Sequence, residues 1–200
     1  ARKDGNTTNL INVVFRELRK EKIETELIEL AGNNIQSCFA CGKCFENKDK
    51  KCIIENDILN DLVNKMVAAD AIILGSPTYF ANVSSGMKAV IDRAGSVGLA
   101  NNFLYKKKIG AAIVTARRSG STNAFDAMNR FFLYQQMIIP GSSSWNEGFG
   151  SQPGDVNNDV EGIGTMNVLG QNMAWLMNKI FNNLLGAALL RRPEIHLKTM

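Results

Sequence analysis

This sequence predicts a doubly wound α/β fold on a parallel sheet, and three observations carry the prediction. Short continuous apolar runs at Ala71 to Leu74 and Ile109 to Val114 have the composition of strands buried on both faces. Segments with apolar residues at helical spacing alternate with them. The intervals suit βαβ units, whose right-handed crossovers cover both faces of one sheet.

Taken in order, the chain opens on a turn-like Arg2-Lys3-Asp4-Gly5-Asn6 and Thr7-Thr8, then runs into Leu10, Ile11, Val14, Phe15 and Leu18 at helical spacing. No strand precedes this loop-to-helix junction, so the first strand of a five-stranded sheet is expected upstream of Ala1. Glu24 to Leu30 reads as a strand. After a cysteine-rich stretch, Ile58, Leu59, Leu62, Val63, Met66 and Val67 form one apolar stripe behind the capping candidates Asn56 and Asp57. The run ending at Leu74 is closed by Gly75-Ser76-Pro77, and Met87, Val90, Ile91 and Ala94 mark the next helix, with Asp92-Arg93 expected as a helix-end ion pair. Ala124 to Gln136 reads as a helix, Met137 to Ile139 as a strand stopped by Pro140-Gly141, and 165 to 185 as the last helix. Asn146 to Gly164 is too long and too rich in Gly, Asp and Asn for a routine connection, which points to a cofactor-side flap or a subunit contact.

Composition narrows the class. At 45% hydrophobic and 21% charged residues, with mean hydropathy -0.10, the chain is ordinary globular protein in a single domain over residues 1–200. The apolar run Leu184 to Leu190 is far below the roughly 18 residues that span a bilayer, and no signal peptide opens the chain, so a cytoplasmic protein with no membrane partner is expected. The net charge of +4 comes from short clusters, which does not make a nucleic-acid surface. His196, the only histidine, reads as a surface residue.

Ligands of open α/β sheets settle outside the carboxyl ends of the strands. Three loops meet there. The first opens a helix whose unpaired amides suit a phosphate, with Arg2, Asn6, Thr7 and Thr8 as contacts. The second, containing Pro77, Thr78, Tyr79, Phe80 and Asn82, puts two aromatics directly after a buried strand, where they can cover a planar ring. The third, with Thr115, Ala116, Arg117 and Gly120, adds a hydroxyl, backbone amides and, with Arg118, two guanidinium groups.

Ala1-Arg2-Lys3-Asp4-Gly5-Asn6-Thr7, Gly75-Ser76-Pro77-Thr78-Tyr79-Phe80, Gly86-Met87-Lys88-Ala89-Val90-Ile91-Asp92-Arg93 and Asp159-Val160-Glu161-Gly162 resemble the NADPH-dependent FMN reductase family, in particular its iron-sulfur flavoprotein branch. The resemblance implies a flavodoxin-like fold, FMN bound by the three loops, and homodimers or homotetramers that complete the flavin site between subunits. Ala116-Arg117-Arg118 departs from the family's Gly-rich third loop, and the family's first strand and phosphate-loop serine have no counterpart here.

All four cysteines, Cys38, Cys41, Cys44 and Cys52, fall in the pattern C-x2-C-x2-C-x7-C. Closely spaced thiolates with a fourth just downstream are similar to ferredoxin-type ligand runs, which favours a 4Fe-4S cluster. Zinc, normally held by two separated C-x2-C knuckles, and an empty loop of the kind carried by plain FMN reductases are the alternatives; disulfides are disfavoured in a cytosolic chain. Lys43, Lys48, Lys50 and Lys51 would offset cluster charge. Three functions compete: an oxidoreductase linking a cluster, FMN and a small two-electron acceptor; an NAD(P)H-dependent FMN or quinone reductase without a cluster; and a non-enzymatic electron carrier. A ferredoxin-like donor or NAD(P)H, with a quinone or oxygen species as acceptor, would be the partners.

Overall fold

The structure, a computed structural model, describes residues 2–185 and 196–199, with side chains as far as Phe181. The apolar run Leu184 to Leu190 and the surface position expected for His196 lie outside the described side chains. In chain order the elements are α1 (Asn6–Lys20), β1 (Glu24–Leu27), α2 (Lys43–Asn47), α3 (Leu59–Ala68), β2 (Ala71–Pro77), α4 (Ser85–Ala100), β3 (Ile109–Ala116), α5 (Ser121–Tyr134), β4 (Glu147–Phe149), a 3-10 turn Asp155–Asn158, α6 (Val160–Leu185) and β5 (His196–Thr199).

Successive side chains of a strand point to opposite faces, and here that alternation sorts the core into two layers. Ala71, Ile73, Ile109, Ala111 and Ile113 pack with Leu10, Val14 and Leu18 of α1 and Met166, Leu169 and Met173 of α6. Ile72, Leu74, Ala112 and Val114 face the other way, onto Leu62 and Met66 of α3, Met87 and Val90 of α4, and Met128 and Phe132 of α5. The sheet order is β1-β5-β2-β3-β4, with every pairing parallel. Ala71 stands opposite Ile109 and Pro77 opposite Thr115, so β2 and β3 end level and their outgoing loops emerge side by side.

Five local expectations are corrected. The strand expected at Met137 to Ile139 makes only a single bridge, Ile138 to Ile109. Pro140 has no N–H to extend the ladder, and pairing with β3 resumes nine residues beyond Ile138 at β4, where Val114 stands opposite Glu147. Asn146 spans the break: its carbonyl accepts from Val114 N at 2.9 Å and its Nδ2 donates to Ala112 O at 3.0 Å. The segment from 146 to 164 is therefore built of β4, the 3-10 turn and the start of α6, not of irregular loop.

The last helix starts at Val160 instead of 165 because Asp159 caps it, accepting from Gly162 N at 2.9 Å while its second oxygen takes Phe149 N at 2.8 Å. A Cβ on Gly162 would lie 2.6 Å from that carboxylate, so the tight cap demands glycine. The strand predicted to reach Leu30 stops at Leu27, freeing 28–31 to turn across the sheet's carboxyl end. Asp92 and Arg93 do not form a helix-end pair: Asp92 holds Lys88 at 2.6 Å, whereas Arg93 turns inward to Asp57. No helix among the described residues is long and apolar enough to cross a membrane.

Candidate functional site

Because β2 and β3 end level, the loops that follow them open at the same edge as the N-terminus of α1, and the three enclose a cleft of about 180 Å³. Arg2, Asn6, Thr7, Thr8, Pro77, Thr78, Tyr79, Thr115, Ala116 and Arg117 line it, as the sequence suggests. Phe80, Asn82 and Gly120 lie outside the lining. Asn82 closes the turn, exchanging backbone hydrogen bonds with Tyr79 at 2.9 and 3.0 Å. Gly120, at φ +84°, lets the third loop pack against Ala81 of the second.

The first turn of α1 has no acidic residue and no side-chain cap on its N-cap Gly5. Its leading amides have no intrahelical acceptors. A Cβ on Gly5 would come 3.2 Å from Arg2 O, so the bend that aims these amides at the cleft is tight. Two bonds tie the loops into one frame: Thr7 Oγ1 to Thr115 Oγ1 at 2.7 Å, and Thr78 N to Thr115 O at 2.7 Å. Asn6, expected as a phosphate contact, is committed elsewhere: Nδ2 donates to Gln152 O at 2.9 Å and Oδ1 accepts from Gly154 N at 2.8 Å. It anchors the 150–154 segment at the cleft rim.

The second loop is strained and incompletely satisfied. Phe80 and Ala81, the central residues of the Tyr79–Asn82 turn, sit at φ 47° and 56°. That left-handed region costs a non-glycine residue about 1–2 kcal/mol. Phe80 is fully exposed at the tip. Thr78 Oγ1 is buried without a hydrogen-bond partner. An orphaned hydroxyl on the wall of a cleft, beside a helix N-terminus and a solvent-facing aromatic turn, fits a ligand with a phosphate at one end and a polar-edged ring at the other.

Sequence reasoning missed the Leu27–Ala31 wall and Ser84; Gly150 and Ser151, within the 146–164 segment expected as a cofactor-side flap or a subunit contact, also line the cleft. Within that wall, the carboxylate of Glu29 accepts from Asp4 N at 2.9 Å and Thr8 Oγ1 at 2.6 Å, and so occupies donors of the phosphate-like loop. The rule that ligands gather at strand carboxyl ends, applied to the first strand as well as to β2 and β3, would have found it.

The cysteine segment follows that wall in the chain, Cys38 lying seven residues after Ala31. All four thiols are free; Cys38 and Cys41 are exposed, Cys44 and Cys52 half-buried against the α3–α5 core. Ala40, Gly42, Lys48 and Lys50 are all left-handed, so the chain winds tightly there. Burial pushes the Cys44 thiol up; its own amide and that of Phe45 offset part of this, and neighbouring Cys41 and Cys52 add to it. Among the described residues the sulfurs are not drawn together as a preformed metal-holding group. The donor chemistry, four thiols outside any disulfide on one loop, fits a thiophilic metal or an iron-sulfur cluster.

A parallel doubly wound sheet with a phosphate-and-ring cleft at its carboxyl edge defines a flavin- or nucleotide-binding α/β protein. The chain belongs to the NADPH-dependent FMN reductase family, whose model matches residues 1–152. An iron-sulfur flavoprotein of Methanocaldococcus jannaschii is 34% identical over 186 residues, covering 90% of this chain and 94% of that protein. An iron-sulfur flavoprotein of Methanosarcina thermophila is 28% identical over 185 residues, covering 91% and 93%. Of solved structures, RosB aligns with TM-score 0.60 at 14% identity over 96% of this chain and 85% of its own. A flavone reductase aligns with TM-score 0.63 at 16% identity over 90% and 61%. These two establish the flavodoxin-like fold. The protein is an FMN flavoprotein and a flavin-dependent oxidoreductase.

Proposed function

We propose that this protein passes electrons between a 4Fe-4S cluster held by Cys38, Cys41, Cys44 and Cys52, FMN in the three-loop cleft, and a small two-electron acceptor such as a quinone or an oxygen species. The observation that carries the reading is a cleft whose lining includes Thr78, with its orphaned Oγ1, and the Leu27–Ala31 segment, after which Cys38 follows seven residues along the chain. The names of the two archaeal relatives support the cluster half of it.

In this reading the α1 amides and Thr8 bind the phosphate, with Glu29 swinging aside. Arg2, Asn6 and Ser151 keep the rim closed, and Thr78 and the 78–82 amides meet the polar edge of the ring. The two cofactors supply the redox chemistry. Arg117 and Arg118, exposed beside the cleft, stand where an anionic ring or a nicotinamide phosphate would come. A ferredoxin-like protein is the proposed donor, and a homodimer or homotetramer with 146–164 at the cleft or the subunit contact is the proposed assembly.

A second reading, NAD(P)H-driven FMN or quinone reduction with an empty cysteine loop, is favoured by those two arginines and by the family's description. Iron, sulfide, zinc and flavin assays on anaerobically purified protein separate the two. Four irons and one FMN per chain are expected. FMN without iron, even after anaerobic reconstitution, would leave the nicotinamide-driven reductase.

A further inference from the structure

We infer that Arg93, paired with Asp57, is a positioning residue that latches the base of the cysteine loop and aims a guanidinium N–H at the sulfur of Cys52; this rests on the proposed cluster site. Arg93 lies on the buried face of α4 with Met87, Val90, Ala94 and Val97, a place where helical periodicity calls for an apolar residue. It is 1% exposed. A guanidinium so deep is costly unless its donors are matched, and the matching is unusually directed.

Every acceptor comes from one flank or the other of the cysteine loop. Nη1 donates to Gln36 O at 3.1 Å, just before Cys38, and to the Asp57 carboxylate. Nη2 donates to Ile54 O at 3.0 Å, just after Cys52. Nε donates to Cys52 Sγ at 3.3 Å. Asp57 completes the tie by accepting from Gln36 N at 3.0 Å and Leu59 N at 3.1 Å. Asn60 pins Cys52 from the other side, taking its N–H at 2.8 Å and donating to its carbonyl at 2.9 Å.

Closing a loop needs only the carbonyls and the ion pair. The bond to sulfur is what a purely structural latch would not require. A cationic donor against a ligating sulfur stabilises the more negative, reduced state of a cluster and so raises its potential. Four acceptors reached from three nitrogens also explain arginine in preference to lysine, whose single ammonium cannot fork.

The test uses the full-length protein reconstituted anaerobically with iron and sulfide. It compares wild type, Arg93→Lys and the double variant Arg93→Gln/Asp57→Asn, which removes both buried charges together and so avoids stranding one of them. FMN content and circular dichroism monitor folding. Hydrogen exchange of the 36–57 amides before iron is added, iron release to a chelator, and midpoint potential are then read. Faster exchange, iron affinity lower by about 10–100-fold and a more negative potential in both variants are expected, with Arg93→Lys the milder. Wild type and both variants with the same iron retention and potential would overturn the role of Arg93. A wild type that takes up no iron would overturn the cluster reading, and this inference with it.

Discussion

Thr78 concentrates the single-residue argument. Its Oγ1 is buried with no partner, a state that lowers stability in the free protein and that a ligand's hydrogen bond would relieve. Thr78→Val, nearly the same shape without the hydroxyl, should leave the melting temperature unchanged or raised. It should weaken FMN binding by about 0.5–1.5 kcal/mol, read by quenching of flavin fluorescence. Weaker folding with unchanged FMN affinity would show that the hydroxyl serves the fold. Residue identities were legible where chemistry is local: Thr7, Thr115 and Thr78 were all singled out, and they interlock. Asn6 and Arg93 were misread because their partners, Gln152 and Asp57, are remote in sequence, and nothing near either residue encodes the contact.

At the scale of elements, α1 and α6 meet along one seam, and Glu17 sits in it. Its carboxylate, 7% exposed, takes Lys20 Nζ at 2.7 and 2.9 Å and Gln171 Nε2 at 3.3 Å. The Lys20 hydrogen bond, aided by Gln171 and Arg16, outweighs burial and holds the Glu17 carboxyl below the ordinary value. A carboxyl depressed on folding adds stability that is present above its unfolded value, about 4.3, and lost as pH falls through the folded one. Chemical denaturation from pH 6 to about 3 should therefore show stability falling with acid, and Glu17→Gln should flatten that slope. An unchanged slope would remove Glu17 from the linkage. Element types were readable from the buried runs and the helical stripes. Boundaries were not, wherever a distant group supplied the cap or the pairing: Asn146 restarts the edge strand and Asp159 starts the last helix early.

The whole molecule follows from one alternation: odd positions of β2 and β3 face α1 and α6, even positions face α3, α4 and α5 for the length of the ladder that both cores share. That sheet brings β2 and β3 to a common edge, where the site must be, which is why the loops that follow them were legible in the sequence. The Leu27–Ala31 wall was not, because it is placed by the tertiary fold and carries no motif. At the phosphate end of the cleft the α1 amides stand open and Glu29 holds the donors of Asp4 and Thr8. The most direct measurement is a titration of the flavin-free protein with FMN and, in parallel, with riboflavin, which lacks the phosphate. One FMN per chain, bound at least about tenfold tighter than riboflavin, a difference of about 1.4 kcal/mol or more, is the predicted result. Equal affinity for the two, or no binding of either, would contradict it.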